Sequence, residues 1–274
     1  MKSRARAAKV AAGKAVRSRN SRPFRSLIRT GFAVNGIIHV VIGAIAVQVA
    51  TGGASGSADH SGALGQLAAA PGGAIVLWVV TVGLAALGAS SMLEVFVVPK
   101  EDKSARVAAI AKHLGKGVVY LALAGTALTF ARGGSTNSEQ SSKQASSDLL
   151  SLPGGAVIAT LVGVGVVAVA VYFVVKGVRQ SFTDDIVLPT GSIGTATRIL
   201  GIVGYSAKGI SLGAVGILFT VAAFTVDPNK AAGIDGALKT LVGLPFGMAI
   251  LIAIGAGLVA YGIYSCLRAR FARV

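Results

Sequence analysis

Asn35, Lys116 and Lys208 are the residues of this chain best placed to do chemistry. Each interrupts a long apolar run, each directly precedes a glycine (Gly36, Gly117, Gly209), and each stands about one turn inside its run. A polar side chain inside an apolar helix is costly to bury and marks a functional position by default. Two ammoniums and an amide at one depth suit an anion, such as a phosphate or a lipid headgroup. The competing reading is snorkelling, in which each lysine stem lies in apolar surroundings while its charge reaches the interface. Spacing alone leaves both open.

Other reactive groups are sparse. Glu94 is the one acid within an apolar run, and it aligns with Lys176 and Arg268, each 23 residues after a proline. Pairing with Lys116 or Lys208 is one reading of it; plain exposure at the interface is the favoured one. His39, His60 and His113 show no metal-ligand spacing with one another or with Cys266. His39 follows Asn35 by four residues and reads as a hydrogen-bonded structural histidine. Cys266 reads as a small apolar filler, with acylation the alternative. Asp184 and Asp185 read as a solvated or capping pair. No nucleophile elbow, phosphate loop, zinc helix or dinucleotide fingerprint occurs. No catalytic set, metal or cofactor is therefore expected. A proton- or cation-coupled carrier is disfavoured, because no carboxylate falls at the middle of any apolar run.

The elements that position these residues come from an internal repeat, the first thing to seek in a sequence. Pro71, Pro153 and Pro245 are each followed by glycine two residues on (Gly73, Gly155, Gly247) and twelve residues on (Gly83, Gly165, Gly257). Gly36, Gly117 and Gly209 precede them by 35, 36 and 36 residues, and Leu67, Leu149 and Leu241 by four. The prolines suit the first turn of a helix. Gly83, Gly165 and Gly257 read as helix-packing points, as do Gly209 and Gly213 in their G-x-x-x-G step. The expected organisation is a basic tail (1–30) and three two-helix repeats (31–98, 110–180, 199–268) forming one membrane domain.

Composition agrees. Of 274 residues 53% are hydrophobic and only 13% charged, against about 25% charged in soluble domains, and mean hydropathy is +0.74. Six apolar runs approach the roughly 20 residues that cross a bilayer: Phe32–Ala50, Gly72–Val97, His113–Ala131, Gly154–Val178, Gly201–Val226 and Phe246–Leu267. Each outer loop ends in a short apolar-periodic piece (Ala63-Leu64, Leu149-Leu150, Ala237-Leu238), either a small interfacial helix or a lead-in to the next span. Lys and Arg divide 20 to 4 between the two sides, which predicts both termini in the cytoplasm. That bias accounts for most of the net charge of +16 without nucleic acid. Residues 1–30 hold ten Lys/Arg and no acid. They read as a cytoplasmic tail able to lie on anionic lipid, a transit peptide being the less favoured alternative.

The combined pattern is an aromatic–x–Ala–Lys/Arg–Gly start, a Gly-Ala-Leu-x-x-Leu loop end, Pro-x-Gly, and Gly-Leu in the second helix. It resembles the bacterial membrane family named domain of unknown function 1206, typical of actinobacteria. Tyr205, Ala207, Lys208, Gly209, Gly236, Ala237, Leu238, Pro245, Gly247, Gly257 and Leu258 carry the resemblance best. In the first repeat Phe32, Gly36, Gly62, Ala63, Leu64, Pro71, Gly73, Gly83 and Leu84 carry it. Asn35 replaces the basic residue there, and His113 replaces the aromatic in the second repeat, which also lacks Gly-Ala-Leu. The resemblance spans residues 27 to 270. It implies three two-helix repeats in a bacterial plasma membrane and brings no activity or catalytic residues.

The expectation is thus an all-α, six-span membrane protein with both termini inside. Its expected role is non-enzymatic, a membrane interaction or lipid-associated protein. The alternative is a small transporter or channel for an anionic or apolar solute. Membrane lipid is the expected partner; the sequence indicates no protein partner.

Overall fold

The computed structural model describes residues 22–52, 57–96, 98, 103–231, 233–243 and 245–273. Most of the basic tail (1–21) and part of the charged turn (99–102) lie outside the described residues. Among the described residues nine α-helices form. Six are long and apolar enough to cross a membrane: α1 (Arg22–Ala50), α3 (Gly73–Val95), α4 (Lys103–Ala131), α6 (Gly155–Val178), α7 (Gly191–Thr225) and α9 (Gly247–Phe271). Three are short and fill the connections on one side: α2 (His60–Ala69), α5 (Ser138–Leu150) and α8 (Gly233–Val242). The first helix of each repeat starts earlier than the apolar runs suggest, α7 by ten residues. Its 35 residues make a rod of about 50 Å at 1.5 Å per residue, longer than a hydrocarbon core of about 30 Å. The apolar run marks only the part that lipid would surround; the helix continues into its polar flank.

The six long helices form a ring in chain order. The second helix of each repeat packs tightly on the first helix of the next: α3 on α4, α6 on α7, and α9 back on α1. Helices within one repeat pack less closely, α1 on α3 and α7 on α9, while α4 and α6 barely touch. The recurring glycines explain the tight joints. A Cβ at Gly36 would lie 2.6 Å from the Gly262 carbonyl, and one at Gly209 2.7 Å from that of Ala170, so these backbones approach as only glycine allows.

The prolines do not enter the first helical turn as expected. Each lies in the turn before it, followed by a residue in the left-handed conformation: Gly72 (φ 75°), Gly154 (φ 76°) and Phe246 (φ 60°). The next residue must be glycine, because a Cβ at Gly73, Gly155 or Gly247 would run into the carbonyl oxygen of Leu67, Leu149 or Leu241. Two recurring landmarks are therefore one contact, made three times.

The short helices cap the far end of the ring. Asp59 caps α2 by accepting from Gly62 N (2.9 Å) and Ser61 Oγ (2.7 Å). Asp235 of α8 is buried; it accepts from Ala58 N (2.7 Å) and from Lys239 (2.6 Å). The Asp235 hydrogen bond raises the Lys239 pKa. Below this cap Ile38, Ile42, Leu64, Leu84, Leu238 and Leu251 belong to one buried apolar cluster. The far half of the ring is therefore a packed apolar core under a polar cap, and Lys176, Lys208 and Arg268 lie toward the half carrying the chain ends.

Candidate anion site

The residues flanking that half are placed by a contact that recurs at all three joints. The charged residue 23 positions after each proline meets the aromatic, or its replacement, that opens the next repeat. Arg268 lies over the Phe32 ring (4.4 Å to its centroid) and Lys176 over the Tyr205 ring (5.4 Å). At the third joint His113 replaces the aromatic, and the charge facing it is reversed: Glu94 meets His113 at 2.6 Å. Glu94 thus pairs with His113 and does not stand exposed at the interface. The swap is coherent chemistry, since a cation suits a ring face and a carboxylate suits an imidazole.

Asp185 ties two of these joints together. Its Oδ2 accepts from Lys176 (2.7 Å) and pairs with Arg268 (3.2 Å). It is no solvated capping residue. The chain places it through a short antiparallel bridge: Val187 N donates to the Phe271 carbonyl (2.8 Å) and Arg273 N to that of Asp185 (3.2 Å). Phe182 anchors the same connection, buried against Gly201 and stacked on Tyr205 at 5.5 Å. Burial works to raise the Asp185 pKa, but Arg268 and Lys176 outweigh it and hold the carboxyl below its usual value.

Lys208 projects from α7 into the ring. Its Nζ rests 4.2 Å from the centroid of Tyr261 and 5.5 Å from that of Phe173. Tyr261 packs in turn on His39 (4.7 Å), and His39 on His60 (5.6 Å). His39 donates through Nδ1 to the Asn35 carbonyl (2.8 Å), a structural role as the sequence suggests. His60, at the start of α2, is driven down to about 4 by burial and, next, by the charge of Lys208. Lys116 projects from α4, within electrostatic reach of Arg268, Glu94, Lys112, Lys176 and Asp185, yet remains open to solvent.

Of the three sequence candidates, Asn35 is buried and donates to Ser265 Oγ at 3.3 Å. Among the described residues neither Lys116 nor Lys208 has a hydrogen bond or ion pair. The buried Nε of Arg268 also has no hydrogen-bond partner among the described residues. The cations Lys116, Lys176, Lys208 and Arg268 share this end of the ring with Asp185 and Glu94, and both of those carboxylates are engaged. Sequence reading placed Lys176 and Arg268 among the topology-setting charges. Their alignment with Glu94 was the signal that all three belong to the joints.

Of the expected packing glycines, Gly83, Gly209 and Gly257 make close crossings and Gly213 an ordinary contact at 3.6 Å from Ala170. Gly165 does not: it faces open space. The close approach of α6 falls two residues earlier, where a Cβ at Gly163 would meet Thr220 of α7. Two residues turn a helix by about 200°, so Gly165 looks toward α4, the helix that α6 does not engage. Cys266 donates weakly to the Ala33 carbonyl (3.7 Å), as a filler in the α1–α9 joint.

A ring of three helical hairpins, all α, with six apolar spans, defines a polytopic membrane protein. The chain belongs to the family described as Domain of Unknown Function (DUF1206), whose pattern matches it three times, at residues 30–97, 111–180 and 203–272. It is also similar to the uncharacterized protein YxxB of Bacillus subtilis (strain 168), 29% identical over 249 residues and 88% of each chain. No solved structure matches.

Proposed function

We propose that this protein is a non-enzymatic membrane protein that binds an anionic group, a phosphate or a lipid headgroup, between Lys116 and Lys208. The observation that carries the reading is that Lys116 and Lys208, at one end of the ring, have no hydrogen bond or ion pair among the described residues. Lys208 is partly withdrawn from water against Tyr261 and Phe173; an ammonium so placed without a counter-charge is costly, and an anion would supply one. Asn35 acts as a positioning residue, holding α1 against Ser265 of α9. The packed far half supports a one-sided site over a through-channel. In this reading the protein spans a bacterial plasma membrane with both termini cytoplasmic, following the lysine and arginine bias, and the anion arrives from the cytoplasmic side or leaflet. The basic tail adds affinity for anionic lipid.

Native mass spectrometry of the purified protein tests this. Wild type is expected to carry an anionic species that the Lys116→Ala/Lys208→Ala double variant loses at least tenfold. Equal content in both would return the lysines to snorkelling and refute the reading.

A further inference from the structure

The joint between α4 and α6 is the one place where the ring does not close. In the first and third repeats, the glycine twelve residues after the proline meets the residue two before the landmark glycine of its own first helix. A Cβ at Gly83 would lie 3.5 Å from Val34 and 3.2 Å from Gly31, and one at Gly257 would run into Ala207. The corresponding pair in the second repeat is Gly165 and Gly115, and both face open space. Val34 and Ala207 are buried whereas Gly115 is exposed. The spans α4 and α6 also bury less of their length than the other four.

The walls of this gap have a polarity. On α6, Leu161, Val169 and Tyr172 are exposed, 66%, 46% and 44% respectively, although they lie on the side turned from α7. On α4, Val119 is likewise open, 57% exposed. Toward the chain ends the gap becomes cationic. Lys116 follows Gly115 directly, and Lys112 bridges the gap with its Nζ 5.5 Å from the Tyr172 ring. An exposed apolar slot, ending at lysines with no anionic partner among the described residues, has the charge distribution of a lipid in reverse: chains along the slot, phosphate at its cationic end.

We propose that the α4–α6 gap is a lateral lipid site, occupied by one acyl chain of an anionic phospholipid whose phosphate lies at Lys116 and Lys208. This rests on the anion-site reading above and names its ligand: a membrane lipid entering sideways, and not a free anion entering from water. Gly115 and Gly165 matter because neither carries a side chain that would fill the slot.

The test fills it. Gly165→Trp and, from the facing wall, Gly115→Trp place a large ring where there is now open space. Gly125→Trp is the control: Gly125 also faces open space on α4, about 15 Å further along the helix. Each protein is stripped in detergent, then offered phosphatidylglycerol, phosphatidylcholine or inorganic phosphate, and bound species are counted by native mass spectrometry. The expected result is at least a fivefold loss of phosphatidylglycerol in both gap variants. Gly125→Trp should stay unchanged, phosphatidylcholine should bind weakly throughout, and inorganic phosphate should bind the gap variants as it binds wild type. Full phosphatidylglycerol binding in both gap variants, with loss in the lysine double variant, overturns the lateral site and leaves the anion site standing. Retention in the lysine variant overturns the anion site itself. Equal loss in all three tryptophan variants refutes a gap-specific effect. A wild-type dimer that the gap variants turn into monomer assigns the slot to a second copy instead.

Discussion

Asp185→Asn separates a binding role for the cation cluster from a purely structural one, because the two readings differ in the sign of one effect. Asp185 is the carboxylate shared by Lys176 (2.7 Å) and Arg268 (3.2 Å), and its side chain is 32% exposed. Removing one partner of a fully buried pair costs about 3–5 kcal/mol, and an exposed pair is worth under about 1 kcal/mol. At a third exposure, a loss of about 1.5–3 kcal/mol in stability is expected. The same change adds one unit of positive charge to the end of the ring that holds Lys116 and Lys208. At an effective dielectric constant of about 20 and a separation of roughly 10 Å, that charge favours a bound anion by about 1.5 kcal/mol, close to tenfold in affinity. The variant should therefore melt at lower temperature in detergent yet retain phosphatidylglycerol more tightly. The pH dependence has a definite sign. The folded-state pKa of Asp185 is depressed, so its contribution is present above the ordinary carboxylate range and fades as pH falls through the folded value. The gap in stability between wild type and variant should shrink below about pH 4. Thermal unfolding from pH 3 to 8 and native mass spectrometry at pH 7 read both effects. Reduced stability with unchanged or weaker anion binding would refute the binding reading of the cluster. Unchanged stability would refute the geometry assigned to Asp185.

Three further outcomes follow from local geometry. Gly155→Ala places a Cβ against the Leu149 carbonyl; it should cost about 2–4 kcal/mol in thermal unfolding, whereas Gly154→Ala, strained by its φ of 76° alone, should cost about 1 kcal/mol. Phe246→Gly relieves a left-handed phenylalanine that is 85% exposed and should stabilise the protein by about 1 kcal/mol. His60 is held near pKa 4, so the unfolded chain binds its proton first and stability should fall as pH drops from about 6.5 toward 4, by at most about 3 kcal/mol; His60→Gln should flatten that part of the profile.

The fold was largely legible because its determinants recur. Spans could be read from apolar length, and the repeat from glycines and prolines at fixed offsets. The reason for Gly73, Gly155 and Gly247 was not readable, since it lies in a carbonyl six residues earlier that only the turn brings back. The polar helix α5 was missed over most of its length for a related reason. Its serines and glutamine carry no apolar period, and Asn137 makes the helix by capping it, accepting from Gln140 N at 3.0 Å. At the candidate site, the depth of Lys116 and Lys208 could be read, as could the alignment of Glu94 with Lys176 and Arg268. What sequence could not supply was the cyclic pairing of each repeat with the next. That pairing turns the alignment into contacts with His113, Tyr205 and Phe32. Asp185 escaped because a bridge to the C-terminal segment, distant in sequence, brings it beside Arg268.

The same cyclic pairing explains why a threefold ring can carry one site. The joints between repeats pair the helices tightly, and the α1–α3 and α7–α9 contacts join those pairs, so the ring stays continuous with one internal joint open. The internal joint of any one repeat is then free to change. In the first and third repeats Val34 and Ala207 fill it. In the second, glycine stands on both sides, and the joint opens without loss of a side-chain contact, since neither residue has a side chain to lose. The sequence differences of that repeat fall around this opening. His113 and Glu94 bring α4 and α3 into contact at 2.6 Å. Lys116 stands where the first repeat has a neutral asparagine that bonds Ser265 across the α1–α9 joint. Anchoring on one side, release on the other and, between them, a cation with no ion pair among the described residues are separate features of one repeat. Together they are why the proposed lipid site is placed at the second hairpin.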